Sequence, residues 1–336
     1  MIPVIRVEGS HREVGRRLGE AAGGAIRRAV ERAPHDRLAL AAPYREVTEA
    51  ELPWVVEELD AVAEAAGVDP LALFAASVEE LRVEAPVGVG CTDVVVGPPL
   101  TASGDILVGH TNDLAARQED DLVAIEWRVH GQPAAFSLGV GPWLSVGWNE
   151  HGLSVTGNEL SPNDERIGVP RLLQMRDVLT RTSIAEAARA ALHPRRASSY
   201  NWVLASPEGA VNIEGSATDA VVRELADEPV VHANHYAEPA MRRYEGDVSY
   251  AERSSLRHTR CRVLVDAASP ASLTPASMRE LLSDHEGAPD SLCRHATGPD
   301  EVKTVFWCAA DLAAREVIYG RGNPCAAEHE ERHAFA

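Results

Sequence analysis

The chain has 336 residues, 45% of them hydrophobic and 25% charged, an ordinary balance for a globular protein with a sizeable core. Its net charge of -19 argues against nucleic acid or an anionic membrane as a partner, since both select Lys/Arg patches; a neutral or cationic small molecule fits better. No run approaches the ~18 apolar residues that span a bilayer, and Met1–Glu8 lacks a signal-peptide pattern, so a cytoplasmic protein is expected.

The first 85 residues are predicted to be all-helical. Ser10-His11-Arg12-Glu13 is a capping-box pattern that opens a helix running to about Ala33. Gly15, Gly19 and Gly23 recur on one face of it, which permits close backbone packing at a cost in helix propensity. Further helices are expected over residues 48–66 and 69–82, the former with Leu52, Val55, Val56, Leu59 and Val62 at helical spacing. From Pro86 the pattern changes to short strands: Thr92–Val96, Ile106–Gly109, Leu122–Val129, Ala134–Leu138, Leu144–Trp148 and Leu153–Thr156. Two helices, over about 168–180 and 183–192, precede strands at Tyr200–Ala205, Ala210–Glu214, Ala220–Glu224 and Val230–His232. Helices over 251–267 and 275–284 and a hairpin from Thr304–Ala309 and Glu316–Tyr319 complete the chain, and the charged tail Glu328–Ala336 is expected to fray. Strands and helices in separate blocks predict an α+β sandwich, with 1–336 as one domain.

The most informative local feature is Gly90-Cys91, at the junction of the helical leader and the strands. A thiol can attack the preceding carbonyl when nothing bulky crowds it, and Gly crowds it least. Hydrolysis of the resulting thioester would leave Cys91 as a new N-terminus. It would then carry a nucleophile beside an α-amine whose pKa of about 7.7–8.0 suits a general base. A lone Cys is also commonly a small buried hydrophobe. The five cysteines, Cys91, Cys261, Cys293, Cys308 and Cys325, are odd in number and widely spaced, unlike a disulfide framework or a zinc knuckle. Cys293, Cys308 and Cys325 are expected to be structural thiols. His232 and His235 lie three apart without a third ligand at convincing spacing, so no metal is expected. No P-loop or dinucleotide fingerprint occurs, and no cofactor is expected.

Five segments carry polar residues suited to amide chemistry: Gly90-Cys91-Thr92-Asp93; Gly104 to Asp113; Val146 to Glu159, which contains Asn149-Glu150-His151-Gly152-Leu153; Val231-His232-Ala233-Asn234-His235; and Asp290-Ser291-Leu292-Cys293-Arg294-His295. In this order they resemble the cysteine N-terminal-nucleophile (Ntn) hydrolases typified by acyl-coenzyme A:6-aminopenicillanic acid acyltransferase, related to the choloylglycine hydrolases. The resemblance implies a four-layer αββα fold and self-cleavage between Gly90 and Cys91, into a 1–90 leader and a 91–336 catalytic fragment. It places the nucleophile on Cys91 and, on Asp113, the aspartate that accepts a hydrogen bond from the new amine. It places the oxyanion-hole asparagine on Asn234, a second asparagine on Asn158 and an arginine on Arg294. Where relatives often carry Arg or Gln before the polar strand end and an aromatic just before the aspartate, this chain has His110 and Asn112. Those two, with His235, are candidate substrate-binding residues.

The residue types support the same chemistry on their own. Amide cleavage needs a nucleophile, a proton acceptor and donors for the developing oxyanion, which Asn side chains supply. Each position also has an ordinary structural use: Asp113 and the asparagines in turns or strand edges, Arg294 in an ion pair. The expected function is hydrolysis of a linear amide. Transfer of the acyl group to an amine, with an acyl-CoA as one candidate donor, is the alternative. A non-catalytic ligand-binding relative and an oligomerisation subunit remain open.

Overall fold

The computed structural model describes residues 1–33, 38–81, 89–225, 228–326 and 330–335. It is layered as helix, sheet, sheet, helix. The first sheet has 8 strands in the order β1-β4-β5-β6-β7-β8-β9-β10, the second 6 in the order β11-β2-β3-β12-β13-β14. The strands of the first sheet are β1 (Val4–Gly9), β4 (Leu122–Val129), β5 (Ala135–Val140), β6 (Trp143–Asn149), β7 (Ser154–Asn158), β8 (Asn201–Ser206), β9 (Gly209–Gly215) and β10 (Ala220–Glu224). Those of the second are β2 (Gly90–Val96), β3 (Leu107–Ala115), β11 (Val230–His232), β12 (Val302–Asp311), β13 (Glu316–Arg321) and β14 (Glu331–Ala334).

The helices α1 (His11–Arg32), α2 (Leu38–Glu51), α3 (Pro53–Ala66) and α4 (Pro70–Ala76) form the leader. With α5 (Arg171–Val178) and α6 (Ile184–Ala191) they supply the outer layer of the first sheet, where Val14, Leu18 and Ile26 join Val55, Leu59 and Val62 on Ile125 and Trp127. Ser10 caps α1 in a full capping box with Glu13, as its sequence predicts. The α1 glycines serve close packing. A Cβ on Gly15 would stand 2.2 Å from the Glu58 carbonyl oxygen, and one on Gly19 would stand 2.4 Å from that of Val62. Gly23 is looser, its nearest backbone atom at 3.8 Å. The expected 48–66 helix is two, α2 and α3, parted at Leu52 because Pro53 starts the second helix.

Between the sheets, Val95, Val108 and Phe306 pack on Phe136 and Val146. On the far side, α7 (Val248–Asp266) and α8 (Pro275–Leu282) pack Cys261, Val265, Met278 and Leu282 on Val94, Leu107 and Trp307. Because β2 is covered on both faces, all its residues are buried, which is why it is an unbroken apolar run after Asp93.

Both termini depart from expectation. Val4–Gly9 is a strand, so the leader is not all-helical; its β-branched residues pair in parallel with β4, the exception in otherwise antiparallel sheets. Of the tail expected to fray, Glu331–Ala334 forms β14 beside β13, with residues 328, 329 and 336 outside the described residues, and Glu331 Oε2 accepts the Ile2 amide at 2.8 Å. His333 stacks on Phe136 at 4.1 Å, so a charged sequence still finds apolar cover for alternate side chains.

Candidate active site

Cys91 sits at the start of β2, opposite Asn112 of β3, while Gly90 lies opposite Asp113. Directly opposed residues share a face, so the Cys91 and Asn112 side chains project between the sheets and Asp113 projects toward α7 and α8. β7 of the other sheet ends at Asn158 across from the thiol, and the turn after β11 brings Asn234 to the same point.

Both asparagines point their amide nitrogens at the sulfur: Asn158 Nδ2 donates to Cys91 Sγ at 3.3 Å and Asn234 Nδ2 at 3.2 Å. Neighbouring groups fix these orientations. Asn234 Oδ1 accepts from the Cys91 backbone N–H at 2.9 Å and from Arg257 Nη2 at 2.6 Å, two groups that only donate. Asn158 Oδ1 faces Asn201 Nδ2 and His232 Nδ1, both at 3.1 Å. The thiol donates to the Gly157 carbonyl at 3.4 Å. Burial, with the Asp93 charge two residues on, pushes the Cys91 thiol up to about 12, against the two asparagine contacts that favour the anion. In the continuous chain the sulfur is therefore a protonated thiol at neutral pH.

Asp113 accepts from Thr304 Oγ1 at 2.7 Å and has Arg294 Nη1 3.9 Å from its other oxygen. Burial raises its carboxyl above the usual range, opposed by Arg294 and Arg257. Oδ2 has no hydrogen-bond partner among the described residues. The Cys91 N–H is directed to Asn234 rather than Asp113. Thus Cys91, Asn158 and Asn234 converge on one atom, with the Asp113–Arg294 pair on the adjoining face.

The candidate substrate-binding residues separate. Asn112 lines a cleft of about 730 Å³ together with Cys91, Gly90 and Gly157. His110 does not reach it: wholly buried, it pairs with Asp93 at 2.8 Å and stands opposite it in register. His235 lies beyond Asn234, between Ser254 Oγ at 2.9 Å and His258 Nδ1 at 3.3 Å. Burial and the neighbouring His232 depress His235 to about 3, so it is neutral.

Helix α7 supplies what the sequence patterns did not single out. Tyr250 OH donates to the Val89 carbonyl at 2.7 Å, Ser254 Oγ accepts from the Asn234 backbone N–H at 2.6 Å, and Arg257 holds Asn234 Oδ1. These three occupy successive turns of the buried stripe that continues through Cys261 and Val265. A polar residue in an otherwise buried helical stripe was the available signal, above all a buried arginine. Arg257 also crowds Gly90: a Cβ there would lie 2.7 Å from Arg257 Nη2 and from Asn234 Oδ1.

Among the described residues, the group with His, Cys, Asp or Glu atoms close enough to share a metal is not at this thiol; it is His285, Cys293, His295 and Cys325. No described helix is long and apolar enough to cross a membrane.

A family model described as acyl-coenzyme A:6-aminopenicillanic acid acyl-transferase matches residues 100–325. The match takes in Asp113, Asn158, Asn234, Arg257 and Arg294 and begins downstream of Cys91. No curated protein matches the sequence. Among solved structures, a cysteine-to-alanine mutant of conjugated bile acid hydrolase from Clostridium perfringens is similar at 12% identity and a TM-score of 0.53, over 73% of this chain and 92% of that one. An arginine-to-leucine variant of the same hydrolase is similar at 14% identity and a TM-score of 0.50, with the same coverage. The N-acylethanolamine-hydrolyzing acid amidase ortholog of Caenorhabditis elegans aligns at 18% identity and a TM-score of 0.44, over 66% of this chain and 93% of that one. The two bile acid hydrolase structures establish a shared Ntn-hydrolase fold.

Proposed function

Because the chain belongs to the acyl-coenzyme A:6-aminopenicillanic acid acyl-transferase family, we propose that it is a self-processing cysteine Ntn amidohydrolase acting on a linear amide. The observation that carries this reading is the convergence of two asparagine amides on the Cys91 sulfur, next to a glycine carbonyl and at a cleft.

In the first stage the Cys91 thiol attacks the Gly90 carbonyl. The new carbon–sulfur bond replaces the carbon–nitrogen bond, and the thiol proton passes to the Cys91 nitrogen. Water cleaves the thioester, leaving a Gly90 carboxylate and a free Cys91 amine. Asp113 Oδ2, which needs a partner, then accepts from that amine, and Arg294 opposes the burial that raises its carboxyl. In the second stage the amine takes the thiol proton and the thiolate attacks the substrate carbonyl. Asn234 and Asn158 hold the oxyanion, each such donor being worth about 2.7–4 kcal/mol of barrier. The ammonium protonates the departing nitrogen, and water hydrolyses the acyl-enzyme.

The cleft supports an apolar acyl group, since Val78, Val140, Leu144, Leu172 and Met175 line it, with Arg32 and Arg117 among its polar lining. The 1–90 fragment stays bound, because α1 and α3 contribute their apolar faces to the core over the first sheet. The second reading, favoured by the family's description, is transfer of the acyl group to an amine, with an acyl-CoA as donor.

The test is mass spectrometry of the processed protein during turnover of N-acyl amides of graded chain length. An acyl adduct on Cys91 that water discharges supports the hydrolase, and one discharged only by an added amine supports the transferase. Activity retained by Cys91→Ala would sink both, and an intact chain with an inert thiol would support a ligand-binding relative.

A further inference from the structure

Four side chains far apart in sequence meet beside the Arg294 loop. His285 follows α8, Cys293 and His295 flank Arg294, and Cys325 follows β13. Their ligand atoms all lie within 4.8 Å of one another. The two imidazole Nε2 atoms are 3.0 Å apart and the two sulfurs 3.5 Å apart. His295 Nε2 is 3.6 Å from Cys293 Sγ and 3.5 Å from Cys325 Sγ.

These are four of the six edges of a small tetrahedron, the two from His285 to the sulfurs lying within 4.8 Å, and its size is informative. With Zn–N about 2.0–2.1 Å and Zn–S about 2.3 Å at tetrahedral angles, the ligand–ligand edges are about 3.3 Å for N–N, 3.6 Å for N–S and 3.8 Å for S–S. These four edges fall within a few tenths of an ångström of the corresponding values. We propose that His285, Cys293, His295 and Cys325 form a Cys2His2 site for a structural zinc ion, separate from the Cys91 thiol. Two thiolates and two imidazoles in tetrahedral array are the donor set that selects zinc over the oxygen-seeking cations. Four protein ligands close the coordination sphere, as in a site that holds structure rather than substrate.

A disulfide between Cys293 and Cys325 is the competing use of the sulfurs. It requires them to close from 3.5 Å to about 2.05 Å, and it leaves unexplained why both imidazoles present Nε2 to the same point. The surroundings suit a thiolate ligand. Asn323, itself buried, donates its amide to Cys293 Sγ at 3.4 Å and also to the Arg294 carbonyl. The loop is tied at its base by Cys293 N–H to the Asp284 carbonyl at 3.0 Å, while Asp284 is held by Arg260 at 2.7 Å. Only Cys293 is buried; His285, His295 and Cys325 are exposed, which leaves an entry path. The wide spacing of the cysteines hid this in the sequence, where it argued against a zinc knuckle; the fold closes the distance by laying the end of β13 against the loop.

The consequence reaches the proposed site. Two ligands flank Arg294 in sequence, so the ion would pin the loop that carries the guanidinium beside Asp113. The ion does no chemistry there.

The test uses the full chain, purified under reducing conditions with zinc supplied and desalted before metal analysis. About one equivalent of zinc is expected, and cobalt exchange should give thiolate charge-transfer and tetrahedral ligand-field bands. Cys325→Ser and His285→Ala, both at exposed positions, should each lower retained zinc at least tenfold, while Cys308→Ala should keep it. Three results would overturn the proposal: a reduced, zinc-supplied parent that retains no metal; zinc retained equally by both ligand variants; or a Cys293–Cys325 disulfide whose reduced form does not take up zinc.

Discussion

Arg257 is the residue on which the proposed site depends most without touching the sulfur. Replacing it with Met keeps much of the volume and removes the donor to Asn234 Oδ1. That bond is 2.6 Å long, charge-assisted and fully buried. Hydrogen bonds to charged groups contribute about 1.5–3 kcal/mol. Here the energy holds the Asn234 amide with its nitrogen toward the sulfur. If that is lost in the transition state, self-cleavage should slow by about 10–150-fold, at ~1.4 kcal/mol per tenfold. Arg257→Lys, which keeps a cation near Asp113 but not the planar donor, should recover part of the rate. The assay is the time course of cleavage of freshly synthesised chain under denaturing mass spectrometry, with melting curves recorded in parallel. Arg257→Met that folds and cleaves within about twofold of the parent would refute the positioning role.

Three further outcomes follow from the same geometry. Gly90→Ala should fold but cleave at least ten times more slowly, because the added methyl meets Arg257 and Asn234 at 2.7 Å; cleavage at the parental rate would mean that this crowding does not matter. Asp113 has a carboxyl raised by burial, so the folded chain binds its proton more tightly than the unfolded one. Its contribution to stability is complete below about pH 4 and is lost as the pH rises through the folded value. Asp113→Asn should therefore melt no lower than the parent at pH 7 yet, once processed, turn over its amide substrate poorly, and a melting point several degrees lower would contradict the burial argument. Gly19→Ala should cost about 1–3 kcal/mol by forcing α1 from α3, read as a lower denaturant midpoint; an unchanged midpoint would show that the helices yield freely.

Much of the architecture was legible because its signals are local. The Ser10 capping box, the Leu122–Val129 strand and the strand expected at Thr92–Val96, found as Gly90–Val96, each declare themselves within a few residues. Cys91, Asn158 and Asn234 could be named because motif order substitutes for distance, and the fold brings them onto one sulfur. His110 was misleading for a physical reason: strand alternation puts it on the Cys91 face, but two residues deeper, where Asp93 claims it. Arg257 and the four proposed zinc ligands were hidden because their meaning is tertiary. A helical arginine is ordinarily solvated, and ligands scattered from His285 to Cys325 have no motif until β13 returns to the loop. The N-terminal strand was missed because its apolar alternation is short and is paired by a distant partner, Leu122–Val129.

The most direct test is the intact mass, under denaturing conditions, of freshly purified protein and of its Cys91→Ala variant. The proposed mechanism predicts two fragments of roughly 10 and 26 kDa in proportion to residues 1–90 and 91–336, the larger beginning at Cys91, with the variant left whole. A parent that stays at 36.1 kDa and carries an unreactive Cys91 would contradict self-processing, as would a variant that is cleaved like the parent.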